Sequence, residues 1–126
     1  MLIRIVIENI FSFDERKEFT TIPNSRLKTL EHHKYDFDGF SILKTSSIYG
    51  ANGAGKSNLV KAIDLFKKLV VLEKIPFRLK DSIFKFNDRD DDRGQLFAVE
   101  FIQDQKSFYY GLVLKNNMII DRKSVV

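Results

Sequence analysis

The chain has 126 residues, of which 44% are hydrophobic and 30% charged, with a formal net charge of +4. That supports one hydrophobic core. The absence of cysteine excludes disulfides and thiolate metal sites, and no apolar run approaches the roughly 20 residues that a membrane-spanning helix needs.

Taken in chain order, residues 2–10 alternate apolar and polar and predict a first strand, and Lys17–Ile22 predict a second, with Phe13-Asp14-Glu15-Arg16 turning between them. The opening Met1-Leu2-Ile3-Arg4 therefore starts a strand rather than a secretory signal, and a cytoplasmic location is expected. Residues Pro23 to Gly39 are rich in Asn, Ser, Lys and His and are expected to form a loop. A strand over 41–49 follows, then Gly50-Ala51-Asn52-Gly53-Ala54-Gly55-Lys56-Ser57, then a helix over 55–73 that Pro76 ends. In that helix polar residues at 57, 61, 64 and 68 oppose apolar ones at 59, 62, 63, 66 and 69.

Beyond Asp81 come the short apolar piece Ile83-Phe84-Lys85-Phe86 and an acidic stretch from Asn87 to Arg93. Strands over Leu96–Gln103 and Ser107–Lys115 pair across Asp104-Gln105-Lys106, and Asn116-Asn117 reads as a two-residue turn that returns a third strand. Phe97, Val99 and Phe101 share one face of their strand, and Phe108, Tyr110, Leu112 and Leu114 share one face of theirs. The result is a three-stranded antiparallel meander. Its presence argues against a doubly wound fold, in which parallel strands and helices would alternate after the loop.

The run from Gly50 to Ser57 has the spacing G-x-x-x-x-G-K-S, that of a phosphate-binding loop of the Walker A type, and it lies between a predicted strand and a predicted helix. Glycines at 50, 53 and 55 let the backbone turn tightly and approach oxygen atoms that side chains would exclude. Successive N–H groups can form an anion nest with the positive end of a helix dipole behind it. Lys56 can bring a cation to the β- and γ-phosphates, and the Ser57 hydroxyl can ligate magnesium. The candidate nucleotide-binding residues are Gly50, Asn52, Gly53, Ala54, Gly55, Lys56, Ser57 and Asn58, with Ser57 as the magnesium ligand, and the expected cofactors are ATP and magnesium. A glycine-rich turn that merely caps a helix would not require Lys-Ser after its last glycine.

Two phrases together resemble the ATP-binding heads of SMC/RecF-like ABC ATPases. The first is Ile7-Glu8-Asn9-Ile10-Phe11-Ser12-Phe13, which matches I-x-N-F-x-S-F at Asn9, Ser12 and Phe13. The second is the loop with Asn52, Gly53 and Asn58, which matches G-x-N-G-x-G-K-S-N. The pattern is most similar to the bacterial AAA-family ATPases that include the overcoming-lysogenization-defect nucleases and relatives in anti-phage defence, and it covers roughly the first 75 residues. The resemblance implies an α/β domain with α+β character: a P-loop NTPase of the ABC-head type, with a central P-loop strand and helix beside an antiparallel β meander. It also implies a head-to-head homodimer that closes on ATP, contact with DNA through the parent protein, and no membrane partner.

ABC-type hydrolysis further requires four apolar residues followed by Asp-Glu, and an L-S-G-G-Q-type signature. Neither is present. Ala98-Val99-Glu100-Phe101-Ile102-Gln103-Asp104 is interrupted by Glu100, and Met118-Ile119-Ile120-Asp121 is better read as the strand returning from the Asn116-Asn117 turn. The final residues Asp121-Arg122-Lys123-Ser124-Val125-Val126 are what GAT-CGG-AAG-AGC-GTC-GTG encodes, the start of a common sequencing-adapter oligonucleotide. Residues 1–120 are accordingly expected to be the N-terminal part of one ATP-binding domain and residues 121–126 an adapter-derived tail, with an ordinary polar tail as the alternative reading. On this view the domain is incomplete and the isolated chain is expected to be inactive as an ATPase. Two alternatives to the ATPase head are a P-loop small-molecule kinase and a non-hydrolysing nucleotide- or DNA-binding module.

Other constellations carry less. Asp88-Arg89-Asp90-Asp91-Asp92-Arg93-Gly94 spaces acids like a calcium loop, but Gly94 falls one place late and flanking helices are missing. His32-His33 lacks further ligands at metal spacing, although the His32 to Tyr35 segment could fold over a nucleotide. Phe97, Phe101, Phe108, Tyr109 and Tyr110 could stack on bases, but their alternation is also what a half-buried sheet needs. Lysines and arginines are interspersed with acids, a weak signal for nucleic acid.

Overall fold

The computed structural model describes residues 1–26, 28–72, 75, 82–85 and 93–126. Its main sheet has five strands: β1 (Leu2–Glu8), β2 (Lys17–Thr20), β5 (Gln95–Gln103), β6 (Lys106–Lys115) and β7 (Met118–Val125). Their spatial order is β2-β1-β5-β6-β7, and every neighbouring pair is antiparallel. A separate hairpin joins β3 (Lys34–Phe37) to β4 (Phe40–Leu43), after a single 3-10 turn at Glu31–His33. The described helix α1 spans Lys56–Leu72.

The two tight turns of the meander follow from local chemistry. Asp104 and Gln105 have φ of 49° and 59°, and Asn116 and Asn117 have 51° and 59°. Two successive left-handed residues are the signature of a type I′ hairpin, whose twist matches that of the flanking strands, and Asn and Asp tolerate this region best. The first connection is therefore two residues long, with Lys106 already in β6 and paired to Gln103. β7 continues past Ile120, pairing Asp121 with Val113, Lys123 with Gly111 and Ser124 with Tyr110. All its side chains are exposed.

One sheet face carries Ile5 and Ile7, which lie opposite Val99 and Phe97, which in turn lie opposite Tyr110 and Leu112. Against it α1 packs Leu59, Ala62 and Leu69, with Leu65 and Phe66 partly buried, a spacing that keeps one stripe of the helix on the sheet. The Phe66 ring stacks on Phe97 at 5.8 Å and 6°. Ile63, expected on the buried stripe, is 39% exposed. No glycine or proline interrupts α1, and Asp64 pairs with Lys68 one turn on at 2.6 Å, an exposed pair worth about 0.3–0.5 kcal/mol. On the other face Arg4 of β1 bridges Glu18 of β2 and Glu100 of β5. Its hydrogen bonds to Glu100 and then Glu18 hold its guanidinium pKa above the usual arginine value. A second, smaller cluster joins Ile3, Ile42 and Ile102 with Phe37 and seats the β3–β4 hairpin.

Two sequence expectations need correction. The segment from Pro23 to Gly39 is not all loop, because β3 occupies Lys34–Phe37. The strand predicted over 41–49 is regular only as β4, Phe40–Leu43, and its partner is β3 rather than the main sheet. Residues 45–50 carry no strand ladder, and Ile48 and Tyr49 are 58% and 93% exposed. Apolar β-prone composition makes a strand only where a neighbour completes the ladder. Pro76, the acidic run 87–92 and Phe86 lie outside the described residues.

Candidate functional site

The glycine-rich run leads directly into α1, whose first residue is Lys56 and whose first intrahelical bond runs from the Leu59 N–H to the Gly55 carbonyl at 2.9 Å. The amides of Lys56, Ser57 and Asn58 thus belong to the first turn, where helical N–H groups have no partner within the helix. Gly53 and Gly55 take φ of +81° and +93°. A side chain at Gly53 would meet none of the described residues within 4 Å, so among them backbone conformation alone calls for glycine there. At Gly55 an added Cβ would also lie 3.1 Å from Ser12 Oγ and 3.4 Å from the Phe13 ring. Gly50 differs, with no positive φ and only Ala54 Cβ at 3.4 Å from an added Cβ.

Asn52, Gly53, Gly55, Lys56, Ser57 and Asn58 line a hollow of about 200 Å³. These are six of the eight residues that the sequence nominated. Ala54 instead donates its N–H to the Ala51 carbonyl at 3.2 Å to close the turn, and the Gly50 carbonyl accepts a hydrogen bond from Lys56. Lys56 Nζ also donates to the Ala51 carbonyl at 2.6 Å, so its ammonium folds across the loop onto two neutral acceptors. Charged oxygens are stronger acceptors than these carbonyls, and an anion in the hollow would compete for the same ammonium. The lining holds one cation and no carboxylate. Helix dipole, first-turn amides and lysine therefore all favour negative charge there. Whole ligands occupy pockets of roughly 300–1,000 Å³, so this hollow suits phosphate groups, with the rest of a nucleotide outside it.

The first phrase, Asn9 to Phe13, lies against the loop, a contact that spacing in the sequence does not reveal. Ile10 and Phe13 exchange backbone hydrogen bonds at 2.9 and 2.8 Å, and Asn9 and Phe11 have φ of 55° and 50°. Asn9 is fully buried and donates from Nδ2 to the Arg93 carbonyl at 3.2 Å, while Gln95 Nε2 donates to the Asn9 carbonyl at 3.3 Å and to Ser82 Oγ at 3.0 Å. Arg93 in turn pairs with Asp14. The asparagine is thus the centre of a buried polar knot that fixes the turn, and its Oδ1 has no partner among the described residues.

The remaining nominees lie elsewhere. None of His32 to Tyr35 lines the loop hollow; His33 and Lys34 line a separate cavity with Pro23, Leu30 and Leu43, and the Tyr35 hydroxyl accepts from Gln105 Nε2 at 3.0 Å. The His33 carbonyl does accept from the Lys44 N–H at 2.9 Å, tying this turn to the segment that enters the loop. Among the described residues no group of three His, Cys, Asp or Glu is placed to hold a metal ion. The aromatic set is divided: Phe97 is buried under α1, Phe101 stacks on Phe108 at 5.4 Å, and Tyr109 is on the opposite face from Tyr110, over which Arg122 sits at 5.3 Å. Asp121 is exposed on β7, in the hairpin that Asn116-Asn117 turns, as the sequence indicated.

Residues 46–124, more than half of the chain and inclusive of the loop, match the family described as "AAA domain, putative AbiEii toxin, Type IV TA system". The chain belongs to this AAA-domain family. Its members carry a nucleotide-binding ATPase domain, the function class to which the anion-favouring hollow also points. Comparison with curated proteins gave no match. Among the described residues of this AAA domain, no helix is long and apolar enough to cross a membrane.

Proposed function

We propose that the Gly50–Ser57 loop is a Walker A loop that binds ATP with magnesium, with Gly50, Asn52, Gly53, Ala54, Gly55, Lys56, Ser57 and Asn58 as the binding set. The observation that carries this reading is the hollow at the start of α1, with its lysine, first-turn amides and two left-handed glycines, inside a chain of the AAA-domain family. Lys56 would give up its two loop carbonyls for the β- and γ-phosphates, and the Ser57 hydroxyl, exposed beside it, would ligate the magnesium. Bound magnesium supplies neutralisation of phosphate charge.

The parent protein is an SMC/RecF-like ATPase of the anti-phage type, in which two heads dimerise around ATP and couple its hydrolysis to DNA processing or defence in the cytoplasm. What supports this finer reading is the pairing of the Asn9–Phe13 phrase with the loop, which meet at Gly55. The antiparallel sheet speaks against the small-molecule kinase, for which strands and helices would alternate. A non-hydrolysing binding module is favoured by one observation for this chain: its sequence does not contain four apolar residues followed by Asp-Glu.

Calorimetric titration of the chain with Mg-ATP tests the assignment. Saturable binding that Lys56→Ala abolishes is expected; equal affinity in that variant would refute it.

A further inference from the structure

The turn Asn9–Phe13 contributes no residue to the lining of the loop hollow, yet it is held in an uncommon backbone. Asn9 and Phe11 both have positive φ, and phenylalanine has no side-chain group to ease that conformation. Such backbone persists where the surroundings over-determine it, and it concentrates at functional sites. Here the surroundings are the buried knot of Asn9, Ser82 and Gln95, the Arg93–Asp14 pair, and the paired backbones of Ile10 and Phe13. All of these fix where Ser12 and Phe13 point. The Phe13 ring meets Phe19 edge-on at 5.9 Å and 80°, which anchors it in the core.

Both residues end at Gly55. Ser12 Oγ lies 3.1 Å, and the nearest Phe13 ring atoms 3.4 and 3.6 Å, from where a Gly55 side chain would begin. Gly55 is the last residue before α1 and, lacking a side chain, is free to leave its left-handed conformation unless its surroundings hold it there. Its φ of +93° orients the amides that follow.

We propose that Ser12 and Phe13 are positioning residues for the phosphate site: a rigid backing plate that confines Gly55 to its left-handed conformation and so pre-organises the first-turn amides and Lys56 for a polyphosphate. This inference rests on the reading of the loop as a triphosphate site. Pre-organisation raises affinity by removing the ordering cost that an unsupported glycine loop would meet on binding. Because the plate acts on the phosphate cradle, its loss affects every ligand that uses the cradle by the same factor, whatever base the ligand carries.

The test uses the full chain with Phe13→Leu, which keeps apolar bulk for the core but removes the ring, and Ser12→Gly, a change at an exposed position. Dissociation constants are measured for Mg-ATP, Mg-ADP and inorganic tripolyphosphate, together with the ligand-free unfolding midpoint. Phe13→Leu is expected to weaken all three ligands by a common factor of about ten, and Ser12→Gly by about three. A merely structural role would lower the midpoint and leave affinities unchanged at temperatures where the chain stays folded, since the binding-competent fraction is then near one. Affinities within about twofold of the parent in both variants, with Lys56→Ala still abolishing binding, overturn the backing plate and leave the loop assignment intact. Unchanged affinity in Lys56→Ala overturns the loop assignment and the plate together. If Phe13→Leu does not fold, Ser12→Gly decides alone: a threefold loss common to the three ligands supports the plate, and no loss overturns it.

Discussion

Replacing each loop glycine by alanine separates conformational need from motif membership. At Gly55 the alanine must adopt φ of +93° and place its Cβ 3.1 Å from Ser12 Oγ. A left-handed backbone costs an L-residue about 1–2 kcal/mol, and the contact requires a shift of a few tenths of an ångström from Ser12, which the Phe13 ring, 3.4 Å from the same Cβ, opposes. At Gly53 the φ of +81° imposes the same backbone cost with open space around the new methyl. At Gly50 neither term applies, since the added Cβ meets only Ala54 Cβ at an ordinary 3.4 Å. The loop escapes the strain by leaving its anion-binding conformation, so the cost appears as lost affinity. Gly53→Ala is expected to raise the Mg-ATP dissociation constant by about 5- to 30-fold, and Gly55→Ala to the upper end of that range or beyond. Gly50→Ala is expected to stay within about twofold. Isothermal titration of the three variants, with unfolding midpoints as a control, gives the ranking. Equal losses at Gly50 and Gly55, or no loss at Gly55, would refute the reasoning.

Phe97→Ala removes a buried ring stacked on Phe66, and urea denaturation should show a loss of about 3–5 kcal/mol; a loss below about 1 kcal/mol would mean that α1 is not seated as described. Asn9→Ala removes both the donor to the Arg93 carbonyl and a residue suited to φ of 55°, so a destabilisation of about 2 kcal/mol is expected, with Asn9→Gly milder because it keeps the backbone freedom. Equal losses in the two variants would show that the side chain alone matters. On the proposed reading of the loop as a nucleotide cradle alone, the purified chain is expected to bind ATP with little turnover, because turnover needs a further group to position the attacking water. Robust phosphate release that depends on Lys56 would contradict this.

The parts of the fold that were legible in the sequence are those set by local chemistry. The Asn116-Asn117 turn, the strands on either side of Asp104-Gln105 and the apolar stripe of α1 all depend on residues within a few positions of one another. The β1–β5 pairing was not legible, because Ile7 meets Phe97 across the length of the chain and no periodicity specifies a distant partner. The β3–β4 hairpin was hidden by polar composition: Asp36 and Ser41 face each other across it, and its anchors are single residues, Phe37 and Ile42. The opposite error at 44–49 has the same source, since Ile48 and Tyr49 have strand-like composition without a ladder partner among the described residues. The hollow at the start of α1 was legible in its lining, six of whose residues the sequence nominated, because left-handed glycines and one lysine before a helix are written in local chemistry. Its contact with Ser12 and Phe13 was not, since two short phrases some forty positions apart show nothing of their distance in space.

The central claim, that the loop cradles a polyphosphate, is tested most directly by following backbone amide resonances while Mg-ATP is added. The account predicts the largest shifts at Gly53, Gly55, Lys56, Ser57 and Asn58, saturating together with a single dissociation constant. Shifts centred elsewhere, on the β3–β4 hairpin for example, with these five amides unmoved, would contradict it.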